Sequence, residues 1–351
     1  MFRKFFIVVA LLLFPLTASA QETSARGLVQ KIIEEVATES ENYQILDVLV
    51  QSGEFAGEIV QVNTRDPYLA QVPYRVDVGN RVVLQFSTTP DGSLDVYLSD
   101  VVRTRAMLWI VLVFVFVTLV VARRRGFMSL LSLAITFLTL FGFVLPLIYR
   151  GVSPVLVSVV GAWVILASSM VFSHGLRRST YAAFAGTGAG LILIVILSDI
   201  FIRVTHLSGL TSEGAMFLTL EAGVGVPAGI LLAGFILGAT GVLDDVAVTQ
   251  SEVVFELKEA NRNLPSRELY VRAMRVGQHH IASVVNTLVL AYAGASLPLL
   301  LLFITDNPLP LAELINTEPI AEEIIRTLAG TIGLILTVPL TTWFASLLAK
   351  R

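Results

Sequence analysis

From residue 105 onward, long apolar runs alternate with short polar connections, a rhythm that the first hundred residues do not share. The runs are Ala106–Ala122, Phe127–Tyr149, Val155–Ser173, Tyr181–Ile202, Val224–Leu243, Ile281–Ile304 and Ile325–Ala349. A helix crossing the hydrocarbon layer needs about 20 mostly apolar residues. The pattern therefore predicts a membrane all-α bundle of about seven transmembrane helices over 105–351. The connection 203–223 mixes His206, Glu213 and Glu221 with Met216, Phe217 and Leu218. Such a segment lies along the interface or dips in under the cover of protein.

The N-terminal region reads differently. Arg3 and Lys4 precede the apolar stretch Phe5 to Leu16 and the small residues Ala18-Ser19-Ala20, the form of a signal peptide over 1–20. Residues 27–38 place Leu28, Ile32 and Val36 on one stripe, which predicts a short amphipathic helix. After it come runs rich in β-branched residues, Tyr43 to Val50, Gly57 to Val62, Arg81 to Phe86 and Leu94 to Leu98. Ser52-Gly53, Asp66-Pro67, Gly79-Asn80 and Asp91-Gly92 separate them as turns. Residues 21–104 are thus expected to form a small β-rich extracytoplasmic domain, a curled sheet or partial barrel.

Composition agrees with the division. Charged residues make up 15% of the chain and apolar ones 55%, against about 25% charged in soluble domains. Residues 21–104 alone hold thirteen acidic and six basic side chains, a balance of −7. The net charge of −3 offers no general attraction for nucleic acid. Cysteine is absent, which excludes disulfides, thiol catalysis and thiolate metal sites.

Lysine and arginine set the orientation. Arg123-Arg124-Arg125, Arg177-Arg178, the group Lys258, Arg262, Arg267, Arg272 and Arg275, and the terminal Lys350-Arg351 fall on one side of seven spans. The opposite connections carry only Arg150, Arg203 and Arg326. The basic side and the C-terminus are expected in the cytoplasm of a cell with an inner plasma membrane, and residues 21–104 outside.

Span five is dense in glycine: Gly225, Gly229, Gly234, Gly238 and Gly241. Small residues four apart let helix backbones approach closely, within the chain or between subunits. Gly186 and Gly190 repeat the spacing in span four, and AGTGAGLILIVIL (185–197) aligns with AGTIGLILTVPL (329–340) across one gap. Repeated halves are common in transporters.

Ionisable groups near the bilayer are costly and tend to be functional. Asp244 and Asp245 end span five, Gln250 and Glu256 follow, His279 and His280 open span six, and Asn286 lies within it. If the two spans are antiparallel neighbours, these groups share a cytoplasmic boundary and could bind a proton or divalent cation. Capping of a following helix by the aspartates is the plainer reading. The segment 244–280 reads as a cytoplasmic helical hairpin broken at Asn263-Leu264-Pro265, with Ser266 as N-cap, packed on the bundle or free to dock a partner.

The stretches GATGVLDDVAVTQSEVVFELKEANRNL (238–264), ELYVRAMRVGQHHIASVVNTLVLAYAGASLPLLLLF (268–303) and YLSDVVRTRAMLWIVLVFVF (97–116) resemble the YibE/YibF-like bacterial membrane proteins. The resemblance implies a multi-pass bacterial membrane protein and carries no catalytic residue with it. The positions matching its motif are Asp244, Asp245, Gln250, Glu256, His280 and Asn286. No H-E-x-x-H or G-x-S-x-G motif is present, so no enzyme activity and no cofactor are expected. The expected function is a transporter or permease-like protein for an ion or small solute. The alternative is a regulatory protein coupling the outer domain to the inner helical arm. The bilayer is the expected partner; a second copy or another membrane protein could join it, and no nucleic acid is expected.

Overall fold

The computed structural model describes residues 24–37, 42–64, 75–88, 94–220, 223, 225, 227–305 and 310–349. The expected signal peptide, the turns at Asp66-Pro67 and Asp91-Gly92, Glu221 and the two terminal basic residues lie outside them. Two compact units divide at Val120 and Val121.

Among the described residues of the first unit, five strands form one antiparallel sheet in the order β3-β2-β1-β4-β5. They are β1 (Ser24–Ala37), β2 (Asn42–Val50), β3 (Ile59–Asn63), β4 (Arg81–Thr88) and β5 (Leu94–Val101). Alternate residues Leu46, Val48, Val50, Val62, Val82, Leu84 and Leu98 are buried in one core, as a half-buried strand requires. The sheet curls until its edge strands β3 and β5 touch. Gln44 acts as an extra strand partner: Val76 N–H donates to its Oε1 at 2.9 Å, and its Nε2 donates to Val76 O at 3.3 Å.

The helix expected over 27–38 is instead strand β1. Its pairing with β2 shifts register between Val29 and Lys31 and again between Ile32 and Glu34. Each bulge adds a residue. The inward positions consequently run Ala25, Gly27, Val29 and then Ile32, which breaks the period-2 alternation just where the helical stripe was read.

From Thr104 on, across the division at Val120 and Val121, the described chain is helical. Helix α1 (Thr104–Thr139) breaks at Arg123, whose φ of 49° and ψ of −123° are not helical. It runs through a π-helical turn, Leu140–Val144, into α2 (Leu145–Tyr149). Then follow α3 (Pro154–His174), α4 (Arg178–Val204), α5 (Glu213–Leu220), α6 (Pro227–Ala260), α7 (Ser266–Ala295), α8 (Leu297–Leu301), α9 (Leu311–Asn316) and α10 (Glu318–Leu348). Helices α4, α6 and α10 pack mutually, with α3 against α6 and α7 against α10 and α6.

Five of these stretches are long and apolar enough to cross a membrane: Thr104–Tyr149, α3, α4, α6 and α10. The seven spans expected from the sequence differ at two places. Spans one and two join into a single 46-residue stretch. Span six is divided, because α7 ends at Ala295 and α8 starts afresh at Leu297, beside Pro298. Proline has no N–H for the helix ladder, and polar His279, His280, Asn286 and Thr287 dilute the apolar run before it.

The expected hairpin 244–280 is present, broken between Ala260 and Ser266, but its arms are continuous with the long helices α6 and α7 and do not start afresh. Helix α6 runs unbroken for 34 residues, so Asp244 and Asp245 sit in mid-helix rather than at a cap. No proline interrupts it after Pro227. The turn to α7 is closed by Lys258, whose Nζ donates to Arg262 O at 2.7 Å and Leu264 O at 2.9 Å. Ser266 is the first helical residue, with Pro265 at the N-cap. Val254, Leu264, Leu269 and Ala273 of the hairpin pack on Ala182 of α4 and on Ala345 and Ala349 at the end of α10.

The closest helix contact lies on α4, not α6. A Cβ added to Gly186 would fall 2.0 Å from Thr341 Oγ1, one on Gly190 2.0 Å from Thr337 Oγ1, and one on Gly333 2.1 Å from Ile194 Cγ1. As numbers rise along α4 they fall by the same step along α10, so the helices are antiparallel. These are the two similar segments found in the sequence, which meet face to face. In the gapped alignment Gly190 corresponds to Gly333 and Ile194 to Thr337, so equivalent positions make equivalent contacts. Within one chain, Gly225, Gly234 and Gly241 have nothing within 4 Å of such a Cβ, and Gly238 meets only the Tyr292 hydroxyl at 3.5 Å. Gly229 is buried.

Candidate functional site

Val242 and Val246 of α6 pack in a cluster with Met274, Ile281 and Leu288 of α7 and Leu334 and Val338 of α10. Asp244 stands about 200° round the helix from each of them and so turns to α3. There Ser169 donates its hydroxyl to Asp244 Oδ2. The other carboxylate oxygen, Oδ1, is buried and has no hydrogen-bond partner. A carboxylate removed from water and half satisfied is costly, and the site holds that cost.

Helices α3 and α6 run parallel here. Two turns along α6 from Asp244, Glu252 Oε1 lies 3.7 Å from His174 Nδ1. His174 and Glu252 belong to a cleft of about 430 Å³, whose wall also holds Arg125, Arg177, Glu256 and Glu259. Ser251 Oγ donates to Ser179 O at 2.7 Å, pinning the start of α4 beside it. Among the described residues, Arg125 and Arg177 form no ion pair, so the wall combines free cations with carboxylates. No group of three or more His, Asp or Glu with metal-binding geometry occurs among the described residues.

The remaining sequence candidates separate. Asp245 is exposed on α6. Gln250 is 3% exposed and ties three helices together: its Nε2 donates to Ala273 O of α7 at 3.1 Å and to Thr342 Oγ1 of α10 at 2.8 Å. That is a packing role. Glu256 lines the cleft. His279 and Asn286 are exposed on α7 and His280 is half-buried. No described hydrogen bond or ion pair joins these histidines to Asp244.

A second polar group escaped the sequence reading, at the N-terminal end of α10. Arg326 pairs with Glu322 and, at 3.2 Å, with Glu323, and its guanidinium carbon stands 5.3 Å from the Phe235 ring centroid. Ser296 Oγ donates to Glu323 Oε2 at 2.9 Å, and Thr211 Oγ1 donates to Glu322. Glu318 accepts the Ser208 and Gly209 amides, the latter at 3.0 Å. The i, i+3 and i, i+4 spacing of Glu322, Glu323 and Arg326 was a readable signal. Ser169 carried none.

A bundle of long apolar helices, packed through glycines and holding its few polar groups at helix junctions, defines a helical membrane protein. The YibE/F-like protein family matches residues 110–351, and the chain belongs to that family. No curated protein and no solved structure matches it.

Proposed function

We propose that the chain is a bacterial inner-membrane protein that threads the bilayer seven times and moves an ion or small solute, without catalysing a reaction. The Thr104–Tyr149 stretch supports two of the spans: its 46 residues would extend about 69 Å as one helix, twice the ~30 Å hydrocarbon core, and it breaks at Arg123. The basic connections support a cytoplasmic C-terminus, with residues 21–104 outside. The antiparallel α4–α10 pair is consistent with inverted repeats.

The observation that carries the transport reading is Asp244, with one oxygen bonded to Ser169 and the other buried and empty-handed. A passing ion or donor solute would satisfy it, and the charged cleft further along α3 and α6 would be its cytoplasmic approach. The test is flux into reconstituted vesicles across a panel of ions and small solutes. The expected result is uptake that Asp244→Asn abolishes and Asp245→Asn, at an exposed position, retains. Absence of any uptake, or full uptake by Asp244→Asn, would sink the proposal.

A further inference from the structure

A second cavity, of about 350 Å³, lies between α7, α8, α9 and α10, far along the chain from Asp244. Leu300 and Phe303 line it, as do Ile324 and Leu328 of α10. Its volume falls within the range of small-molecule sites, about 300–1,000 Å³. The exposed lining is almost wholly apolar, and Tyr292, Ser296, Glu323 and Thr327 are the polar residues that border it. The cavity is thus an apolar space with one carboxylate, that of Glu323, among its bordering residues.

The charge beside the cavity is unbalanced. Glu322 and Glu323 face a single cation, Arg326. Ser296 contributes a neutral hydroxyl to Glu323, and Tyr292, whose electrostatic neighbours are Arg326 and Glu323, adds no cation. Glu318, one helical turn before Glu322, is held by the amides of the 208–209 loop. One negative charge is left over beside an apolar chamber. In such surroundings an uncompensated charge is strongly felt, and it attracts a cation whose remaining surface is apolar.

We propose that this cavity is a binding site for a lipophilic cation, its charge set toward Glu323 and its apolar body against Leu300, Phe303, Ile324 and Leu328. The site is separate from Asp244 and does not depend on transport. The test uses a pair of probes of nearly equal size and opposite charge, tetraphenylphosphonium and tetraphenylborate. Binding to the purified full-length chain in detergent is measured by equilibrium dialysis against empty micelles. The expected result is saturable binding of tetraphenylphosphonium at least tenfold tighter than that of tetraphenylborate. Glu323→Gln should weaken the phosphonium at least tenfold. Leu328→Trp, at a half-exposed position that tolerates change, should fill the chamber and block it. Equal affinity for the two probes would mean a merely apolar groove filled by lipid chains and would overturn the proposal. So would no saturable phosphonium binding, or a phosphonium affinity unchanged in Glu323→Gln and Leu328→Trp.

Discussion

The α4–α10 crossing yields a sharp prediction, because the room beside each glycine is known. In Gly190→Ala the new methyl would lie 2.0 Å from Thr337 Oγ1, with Thr337 Cβ next at 3.1 Å. Overpacking a dense core costs about 1–3 kcal/mol, and the gain in helix propensity from glycine to alanine returns roughly 0.5–1 kcal/mol. A clash this deep belongs at the upper end, so the net loss is about 2 kcal/mol. For a unit of this size that lowers the melting temperature by roughly 4–8 °C, read by thermal unfolding of the detergent-purified chain. Adding Thr337→Ala removes the offending hydroxyl and should recover much of the loss relative to Thr337→Ala alone. Gly186→Ala should not be rescued by Thr341→Ala, because Thr341 Cα and Cβ both lie 2.7 Å from the added methyl. On the open face of α6, Gly234→Ala meets nothing within 4 Å and should stabilise by about 0.5–1 kcal/mol. If Gly190→Ala melts with the wild type, or Gly234→Ala is as damaging, the assignment of the close contact to α4 and α10 fails.

Three further outcomes test other parts of the structure. Gln250→Leu leaves Ala273 O and Thr342 without the amide that joins them and should cost about 1–3 kcal/mol, seen as a lower melting temperature with a nearly unchanged helical signal. Gly27→Ala would set a methyl 2.4 Å from Val48 Cγ1 at the centre of the β-sheet core; it should increase protease cleavage within residues 24–101 while leaving the helical unit intact. Glu318→Ala removes the acceptor for Ser208 and Gly209, and hydrogen exchange of those two amides should quicken by about tenfold, the equivalent of ~1.4 kcal/mol. Unchanged exchange there would mean that the close approach of Gly209 to Pro227 O holds the loop without the carboxylate.

The location of the apolar helices, and of strands β2 to β5, was legible in the chain because both depend on one-dimensional rules. Hydrocarbon thickness sets a run length, and a half-buried strand alternates between turn residues. The last strands match closely: Arg81 to Phe86 and Leu94 to Leu98 were expected, and β4 and β5 extend them by two and three residues. The motif around Asp244 was legible too, as a run of polar residues where the membrane tolerates few. Tertiary structure decided which way those residues face. Asp244 meets Ser169 and not the histidines of α7, because Val242 and Val246 fix the rotation of α6 against α7 and α10. The glycines of span five looked like the packing seam, yet within one chain the tight contacts are made at Gly186, Gly190 and Gly333, where α4 and α10 meet. Strand β1 hid its alternation because its two bulges are defined against the partner strand. In each case the undecided quantity was a rotation or a register, which depends on a neighbour distant in sequence and so leaves no local trace.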